Sequence, residues 1–222
     1  MDWTAFVLSL RLSAWTTVIL FFIGLVISRF LAWRSFPGKS VVEAIVALPL
    51  VLPPTVLGYY LLVAFGRGSP VGRLFESLTG HPLVFSFSGL LVASVVYSLP
   101  FAVQPMLRAF EAVPHTLREA AWCSGLSHWK TFQRIEFPLA WPGILTGMVL
   151  TFAHTMGEFG VVLMVGGNIP AETRTISIAI YDRTQAFDQG AAGTMSLVLL
   201  AFAFVTVSLV YAINQFHRHK KV

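Results

Sequence analysis

Residues 111–138 read EAVPHTLREAAWCSGLSHWKTFQRIEFP, a polar stretch between two apolar runs at about 83–107 and 139–166. Both runs are long enough to cross a bilayer core about 30 Å thick, which requires about 20 helical residues. A polar connection between two spans lies in water at one face of the membrane, because unpaired backbone groups are costly in hydrocarbon. Residues 111–138 therefore indicate a membrane protein with a structured surface loop.

Two short helices are predicted within this loop. The sequence Thr116-Leu117-Arg118-Glu119 fits a capping box, in which Thr116 accepts a backbone hydrogen bond and Glu119 reaches back. Gly125 supplies a left-handed stop after the first helix. Ser127 can cap a second helix that ends before Pro138. Apolar side chains recur in this second helix at helical spacing: Trp129, Phe132 and Ile135.

The rest of the chain is strongly apolar. Its 222 residues are 56% hydrophobic and only 11% charged, and the mean hydropathy is +0.75. A soluble domain carries about 25% charged residues and could not bury so much apolar surface in one core. We therefore predict an all-α integral membrane protein, a single domain over residues 1–222. Its five transmembrane helices are predicted at about 12–32, 44–66, 83–107, 139–166 and 192–216.

The basic residues predict how these spans are oriented. Cytoplasmic loops of membrane proteins carry an excess of Lys and Arg. With the N-terminus outside and the C-terminus inside, ten of the 15 basic residues fall on the cytoplasmic side, together with the loop 111–138. These ten are Arg29, Arg34, Lys39, Arg108, Arg118, Lys130, Arg134, Arg218, Lys220 and Lys221, against Arg11, Arg67, Arg73, Arg174 and Arg183 outside.

Proline residues interrupt three of the predicted spans. Each proline removes a backbone hydrogen bond and is expected to kink or break its helix. Broken helices around a polar path are typical of transporters. The residues are Pro49, Pro53 and Pro54 in the second span, Pro100 and Pro105 in the third, and Pro142 in the fourth.

Enzyme and nucleotide-binding motifs are not found in the sequence. Gly38-Lys39-Ser40 resembles the end of a P-loop, but Trp33 stands where the first glycine is required. Neither an H-E-x-x-H motif nor a Gly-x-Ser-x-Gly motif occurs, and His154 and Glu158 are too few to hold a metal. The net charge of +5 follows the membrane orientation rather than a nucleic-acid surface. We predict a chain that is not an enzyme and has no metal or cofactor of its own.

Six positions of the polar loop resemble the EAA loop of permease subunits of binding-protein-dependent ABC importers. The resemblance implies that the loop forms coupling helices, which sit in a cleft of a separate cytoplasmic ATPase that binds ATP and magnesium. Small alanine side chains would permit close approach, and Gly125 would permit the sharp turn. The six positions are Glu119, Ala120, Ala121, Gly125, Ile135 and Pro138.

Other stretches are similar to the sulfate, molybdate and tungstate permease subfamily: 36–39, 48–54, 157–160, 168–170 and 173–175. The short length and five spans are closer to molybdate permeases than to the longer sulfate ones. This resemblance implies import of an oxyanion, molybdate, with tungstate or sulfate as alternatives. It also implies a homodimer, two ATPase subunits, and an extracytoplasmic binding protein that docks on the loop 166–193. Residues 154–156, His-Thr-Met, depart from the Ala-Arg that is usual there.

Glu158 lies within a predicted span, and an ionisable residue there is a candidate for function. Its position four residues after His154 predicts that both lie on one helical face, where they could line or gate a path. Alternatively, Glu158 bonds backbone amides of a neighbouring helix and stabilises the bundle. Gly157 and Gly160 are predicted to permit close helix contact.

Two other classes of protein fit the sequence less well. A secondary transporter would need no coupling loop and would usually show internal repeats and more spans. An intramembrane enzyme would need a catalytic constellation that the sequence lacks. Copurification with a soluble ATPase would separate both from an ABC importer.

Overall fold

The computed structural model describes residues 1–219, and over that range the chain is helical without strands. The predicted all-α class is confirmed. Lys220 and Lys221, which were predicted to be cytoplasmic, lie outside the described residues, and so does the side chain of Arg218. The helices in chain order are α1 (Trp3–Trp33), α2 (Lys39–Val51), α3 (Pro54–Phe65), α4 (Pro70–Thr79), α5 (Phe87–Glu111), α6 (His115–Cys123), α7 (His128–Thr131), α8 (Phe137–Gly157), α9 (Gly160–Gly166), α10 (Ile176–Gln185) and α11 (Gln189–His219).

Four helical stretches within residues 1–208 are long and apolar enough to cross a membrane. A π-helical segment, Phe132–Glu136, joins α7 to α8 without a break, so these two helices and the segment form one of the four. The stretches are Trp3–Trp33, Phe87–Glu111, His128–Gly157 and Gln189–Ser208.

The pair α2 and α3 would supply a fifth span, and it is bent by 111°. Leu52 and Pro53 are extended, and Pro54 begins α3. A proline is favourable at the first position of a helix, where its missing N–H is not needed, but the residue before a proline is driven out of the helical region. The predicted break therefore occurs at Pro53 and Pro54. The other four prolines lie inside α2, α5 and α8, which continue through them.

The centre of the molecule is formed by α1, α5 and α8. Two glycines of α8 permit close approach to α5, because a Cβ atom at Gly147 would lie 2.8 Å from the Ala102 carbonyl oxygen, and one at Gly143 would lie 2.9 Å from that of Pro105. Small residues at a helix contact are the usual way to pack helices in lipid. Around them lies a buried cluster of Leu20, Ala102, Met106, Phe110, Phe132, Ala140 and Ile144.

The fourth predicted span, 139–166, is interrupted in the structure. Helix α8 ends at Gly157, Glu158 is extended with ψ of 136°, and the seven-residue helix α9 follows. A Cβ at Gly160, the first residue of α9, would lie 2.7 Å from the Cβ of Pro54. The glycine therefore lets α9 pack against the start of α3.

The bundle has two distinct ends. One end carries α6 and α7, which lie between α5 and α8 and which we name the α6–α7 hairpin (residues 115–131). The other end carries α10, whose Ile176 N–H donates to the Ser9 hydroxyl of α1 at 2.8 Å. Beside α10, Asn168 accepts from Arg174 Nε at 2.6 Å and donates to Asp182 at 2.8 Å. These bonds fix the loop before α10 to the helix.

Candidate functional site

The α6–α7 hairpin is shaped by a proline, a glycine and a serine. Helix α6 begins at His115, directly after Pro114, and has no side-chain cap. The predicted capping box at Thr116 and Glu119 is therefore wrong, because Pro114 occupies the N-cap position and Thr116 lies inside the helix.

The turn of the hairpin follows the prediction more closely. Gly125 has φ of +79° and donates to the Trp122 carbonyl at 2.9 Å, while Leu126 donates to that of Ala121 at 3.0 Å. This pair of bonds is the Schellman arrangement that glycine favours, so the predicted left-handed stop is confirmed. Ser127 caps α7 by accepting from Lys130 N–H at 3.3 Å.

The second helix of the loop does not end before Pro138, contrary to the prediction. It runs through the π-helical segment into α8, with Pro138 in the first turn of α8. Pro138 has no N–H to donate, so one backbone hydrogen bond is missing where the π-helical segment joins α8. Ile135 and Pro138 therefore lie at the base of a span, apart from the hairpin turn.

The residues singled out in α6 are divided between its two faces. Glu119, Ala120 and Gly125 are exposed, whereas Ala121 is 5% exposed and packs inward. Cys123 is also exposed. The exposed side of α6 also carries Leu117, which is 44% exposed. This short helix thus presents polar and small side chains beside one apolar side chain, a surface that another protein could approach closely.

A buried ion triad attaches α6 to the spans, and the sequence analysis missed it. The side chain of Glu136, at the end of the π-helical segment, is 1% exposed. Its Oε1 accepts from Arg118 Nε of α6 at 2.8 Å, and its Oε2 accepts from Arg29 Nε of α1 at 2.7 Å. We name Arg29, Glu136 and Arg118 the ion triad. Arg29 and Arg118 lie 107 and 18 positions from Glu136 in the sequence. No local spacing therefore reveals the triad.

Aromatic rings cover both arginines of the ion triad. The guanidinium of Arg118 lies 3.8 Å from the ring centroid of Trp33 and 4.9 Å from that of Trp122. Arg29 lies 5.0 Å from the Phe132 ring. A planar guanidinium stacks favourably on aromatic faces while its edge hydrogen-bonds a carboxylate. Trp33 and Trp122 therefore contact the guanidinium group of Arg118, while Glu136 accepts a hydrogen bond from its edge.

Glu158, in the break between α8 and α9, is 8% exposed. Its Oε1 accepts from the Val161 N–H at 2.9 Å. Its own carbonyl accepts from the Ser177 hydroxyl of α10 at 2.8 Å. Glu158 thus satisfies a backbone donor in the first turn of α9, which is the helix that directly follows it.

Glu158 is the C-cap residue of α8, and its φ of −66° is still helical, so the chain leaves the helix only after this residue. Glu158 therefore follows His154 by one turn of α8. His154 stacks on Phe101 of α5, with centroids 3.9 Å apart, and its Nδ1 lies 3.1 Å from the Ser98 hydroxyl. The Ser98 hydroxyl also lies 3.0 Å from that of Thr155.

The two glycines beside Glu158 differ in their surroundings. Gly160 lies against Pro54, as described above, whereas no atom of the described chain lies within 4 Å of a Cβ placed at Gly157. Gly157 borders a shallow apolar recess of about 60 Å³ between α8 and α11, lined by Phe152, Met156 and Phe202 among others. Space therefore exists beside Gly157, and the predicted close contact there is not made within one chain.

Comparison with known proteins yields relatives along nearly the whole chain. Residues 21–219 match the family described as the binding-protein-dependent transport system inner membrane component. The chain is 46% identical to the molybdenum transport system permease protein ModB of Azotobacter vinelandii, covering 97% of this chain and 95% of that protein. It is 33% identical to a probable sulfate transport system permease protein of Chlorokybus atmophyticus, covering 96% and 76%.

A solved structure supports the fold independently. A bacterial ABC transporter involved in the import of the acidic polysaccharide alginate is similar with a TM-score of 0.71, over 97% of this chain and 78% of that one. The sequence identity of 19% means that this likeness concerns the fold alone.

The structural role of Glu158 can be tested by substitution. Gln keeps the shape and an acceptor for Val161, so Glu158→Gln should unfold close to the wild-type temperature. Glu158→Ala leaves the buried Val161 N–H unpaired, which costs about 1–3 kcal/mol, and should lower the apparent melting temperature of the purified protein. Glu172→Ala, at an exposed glutamate, is the matched control and should be neutral. Equal destabilisation by Gln and Ala would contradict this role.

Proposed function

The chain belongs to the family of binding-protein-dependent transport system inner membrane components, and from this premise we propose that it is the membrane-spanning subunit of an ATP-driven oxyanion importer with molybdate as substrate. The observation that carries the proposal is similarity along nearly the full length to a molybdenum permease. Import of sulfate by the same architecture is the second candidate, supported by the more distant sulfate permeases. Tungstate, a tetrahedral dianion like molybdate, is expected to share the route.

We propose that the exposed face of α6 docks on a separate ATPase subunit, which binds ATP and magnesium. Support comes from the exposure of Glu119 and Ala120 and from the left-handed turn at Gly125. Leu117, which is 44% exposed on the same helix, offers an apolar contact for the partner. Ala121 contributes from the inner face by packing the helix down. Ile135 and Pro138 contribute by joining the hairpin to α8.

We propose that two copies of the chain enclose the path. Four or five spans are few for a gated route, and a symmetric pair is the commonest way to complete one. The exposed apolar side chains of α11, including Leu197, Leu200 and Phe204, support contact with lipid or with the second copy. Two ATPase subunits would then serve one dimer.

The end of the bundle that carries α10 is proposed to receive the extracytoplasmic binding protein. The bonds among Asn168, Arg174 and Asp182 hold the loop 166–193 in a defined shape, which a docking surface requires. Glu158 lies at this end of α8, so an opening of the break between α8 and α9 would change access to the path. We therefore propose Glu158, His154, Gly157 and Gly160 as candidates for gating. For Glu158, a structural role is the favoured interpretation.

The substrate proposal predicts ATP-dependent uptake of labelled molybdate by proteoliposomes that contain this chain, its ATPase and its binding protein. Tungstate should compete, because its charge and shape match those of molybdate. An excess of sulfate should compete poorly. Uptake of sulfate that molybdate does not inhibit would favour the second candidate, and the absence of ATP-dependent uptake of any of these oxyanions would refute the proposal.

The orientation proposal predicts that the α6–α7 hairpin and the C-terminus are cytoplasmic. It is supported by the basic residues near the hairpin end, which exceed those at the opposite end. A reporter fused after Val222 should be active only in the cytoplasm, and a cysteine at Ser69 should react with a membrane-impermeant reagent from outside. A reporter at Val222 that is active outside, with a cysteine at position 69 that reacts only from the cytoplasmic side, would refute both the orientation and the docking role of α6.

The docking proposal predicts a specific effect of bulk on α6. Ala120→Arg places a large cation on the exposed face of α6, so it should abolish copurification with the ATPase while the permease still inserts and stays folded. Ser77→Arg, on the exposed face of α4 at the other end of the bundle, is the matched control and should leave copurification intact. If Ala120→Arg bound the ATPase and transported normally, the exposed face of α6 would not be the docking surface.

A further inference from the structure

We propose that the ion triad of Arg29, Glu136 and Arg118 is the joint through which movement of α6 is transmitted to α1 and α8. This inference rests on the proposed function, since only a docked ATPase would move α6. Arg118, Glu136 and Arg29 would then be positioning residues that determine how much transport each ATP drives.

The connectivity of the triad supports this role. Each residue comes from a different element: Arg118 from α6, Glu136 from the π-helical segment and Arg29 from α1. One carboxylate uses separate oxygens for the two arginines. A displacement of α6 therefore pulls on Glu136, and through Glu136 on both spans.

The burial of the triad makes this joint stiff. The side chain of Arg118 is 10% exposed and that of Glu136 1%, so water has little access to this pair, whereas the side chain of Arg29 is 36% exposed. The pair of Arg118 and Glu136 is therefore the stiff part of the joint. Breaking a buried pair leaves an uncompensated charge in a medium of low dielectric constant, and that state is strongly disfavoured. Movement of the three elements together is the less costly response to a force on α6.

The element that carries Glu136 is suited to receive the movement. The π-helical segment lies within a continuous helical stretch from His128 to Gly157, which ends beside Glu158 at the opposite end of the bundle. π-helical turns occur frequently at functional positions of helices. The triad thus connects α6 to a single rod that reaches the proposed gating region.

A stabilising contact without a role in coupling is the competing explanation. Buried ion pairs often contribute little net stability compared with apolar residues of similar volume, so stability alone is a poor reason for a triad at this position. The two explanations differ in a measurable way. A stabilising contact alters how much complex assembles, whereas a joint alters the transport obtained per ATP hydrolysed.

The first experiment reads the position of α6 without requiring transport. Cys123 is the only cysteine in the sequence and is exposed on α6, so a spin label attached there reports on this helix in the purified permease dimer. Glu136→Gln should raise the mobility of the label, because neither arginine then has a counter-charge. Glu43→Gln is the matched control, since Glu43 forms a half-exposed pair with Lys39 within α2, and should leave the spectrum unchanged.

The second experiment measures labelled molybdate taken up per ATP hydrolysed by the full complex in proteoliposomes. We expect Glu136→Gln to retain its ATPase subunits but to lower this ratio by about fivefold or more, the low end of ordinary coupling between sites. Arg118→Lys keeps the charge but loses the planar stack on Trp33 and Trp122, and should lower the ratio less. If Glu136→Gln fails to assemble, the ratio measured for Arg118→Lys tests the proposed joint in its place.

The outcomes separate this inference from the proposed function. An unchanged ratio and an unchanged label spectrum in the triad variants would overturn the joint. So would parallel losses of assembled complex, ATP hydrolysis and uptake at a constant ratio. If the wild-type complex hydrolysed ATP but took up none of the oxyanions, the substrate proposal would fail. The label at Cys123 would still decide whether the triad positions α6.

Discussion

Hydrocarbon offers no partner for a backbone N–H or C=O group, and the architecture of this chain follows from that constraint. Long helices satisfy the backbone internally, and some hydroxyl groups bond to their own helix, as Thr17 does to the Ser13 carbonyl at 2.7 Å and Thr151 to that of Gly147 at 2.8 Å. Where a helix breaks at Glu158, the carboxylate accepts from the Val161 N–H in the first turn of α9. At this break, a side chain of the chain itself supplies the partner that lipid lacks.

Charge is placed by the same constraint. Among the described residues, the ion triad lies where α1, the π-helical segment and α6 meet. One carboxylate faces two guanidinium groups; Arg118 also stacks on Trp33, and the side chain of Arg29 is 36% exposed. This arrangement allows a polar helix outside the bilayer to be fixed firmly to apolar spans. The proposed docking surface and the proposed path are consequently linked by the chain's own contacts over the length of α8.

The sequence predicted most of the fold because its signals are local. Apolar runs long enough to cross a bilayer identify the long helices. Gly125, two residues before the capping residue Ser127, identifies the turn between α6 and α7. The errors arose where one residue departed from a pattern: Pro114 directly precedes α6 and places Thr116 inside the helix, and the second helix of the loop continues through Pro138 into α8. The ion triad was missed because it joins residues distant in the chain, and such pairing leaves no periodic signature.

The central claim is that the ATPase contacts this chain at the α6–α7 hairpin. The most direct measurement is photo-crosslinking from Cys123 in the assembled complex, with a reagent attached to this single exposed thiol. A Cys123→Ser, Ser77→Cys variant carries the same reagent at the opposite end of the bundle. The account predicts that the ATPase is crosslinked from Cys123 and not from residue 77. Crosslinking of the ATPase from residue 77, with none from Cys123, would contradict it.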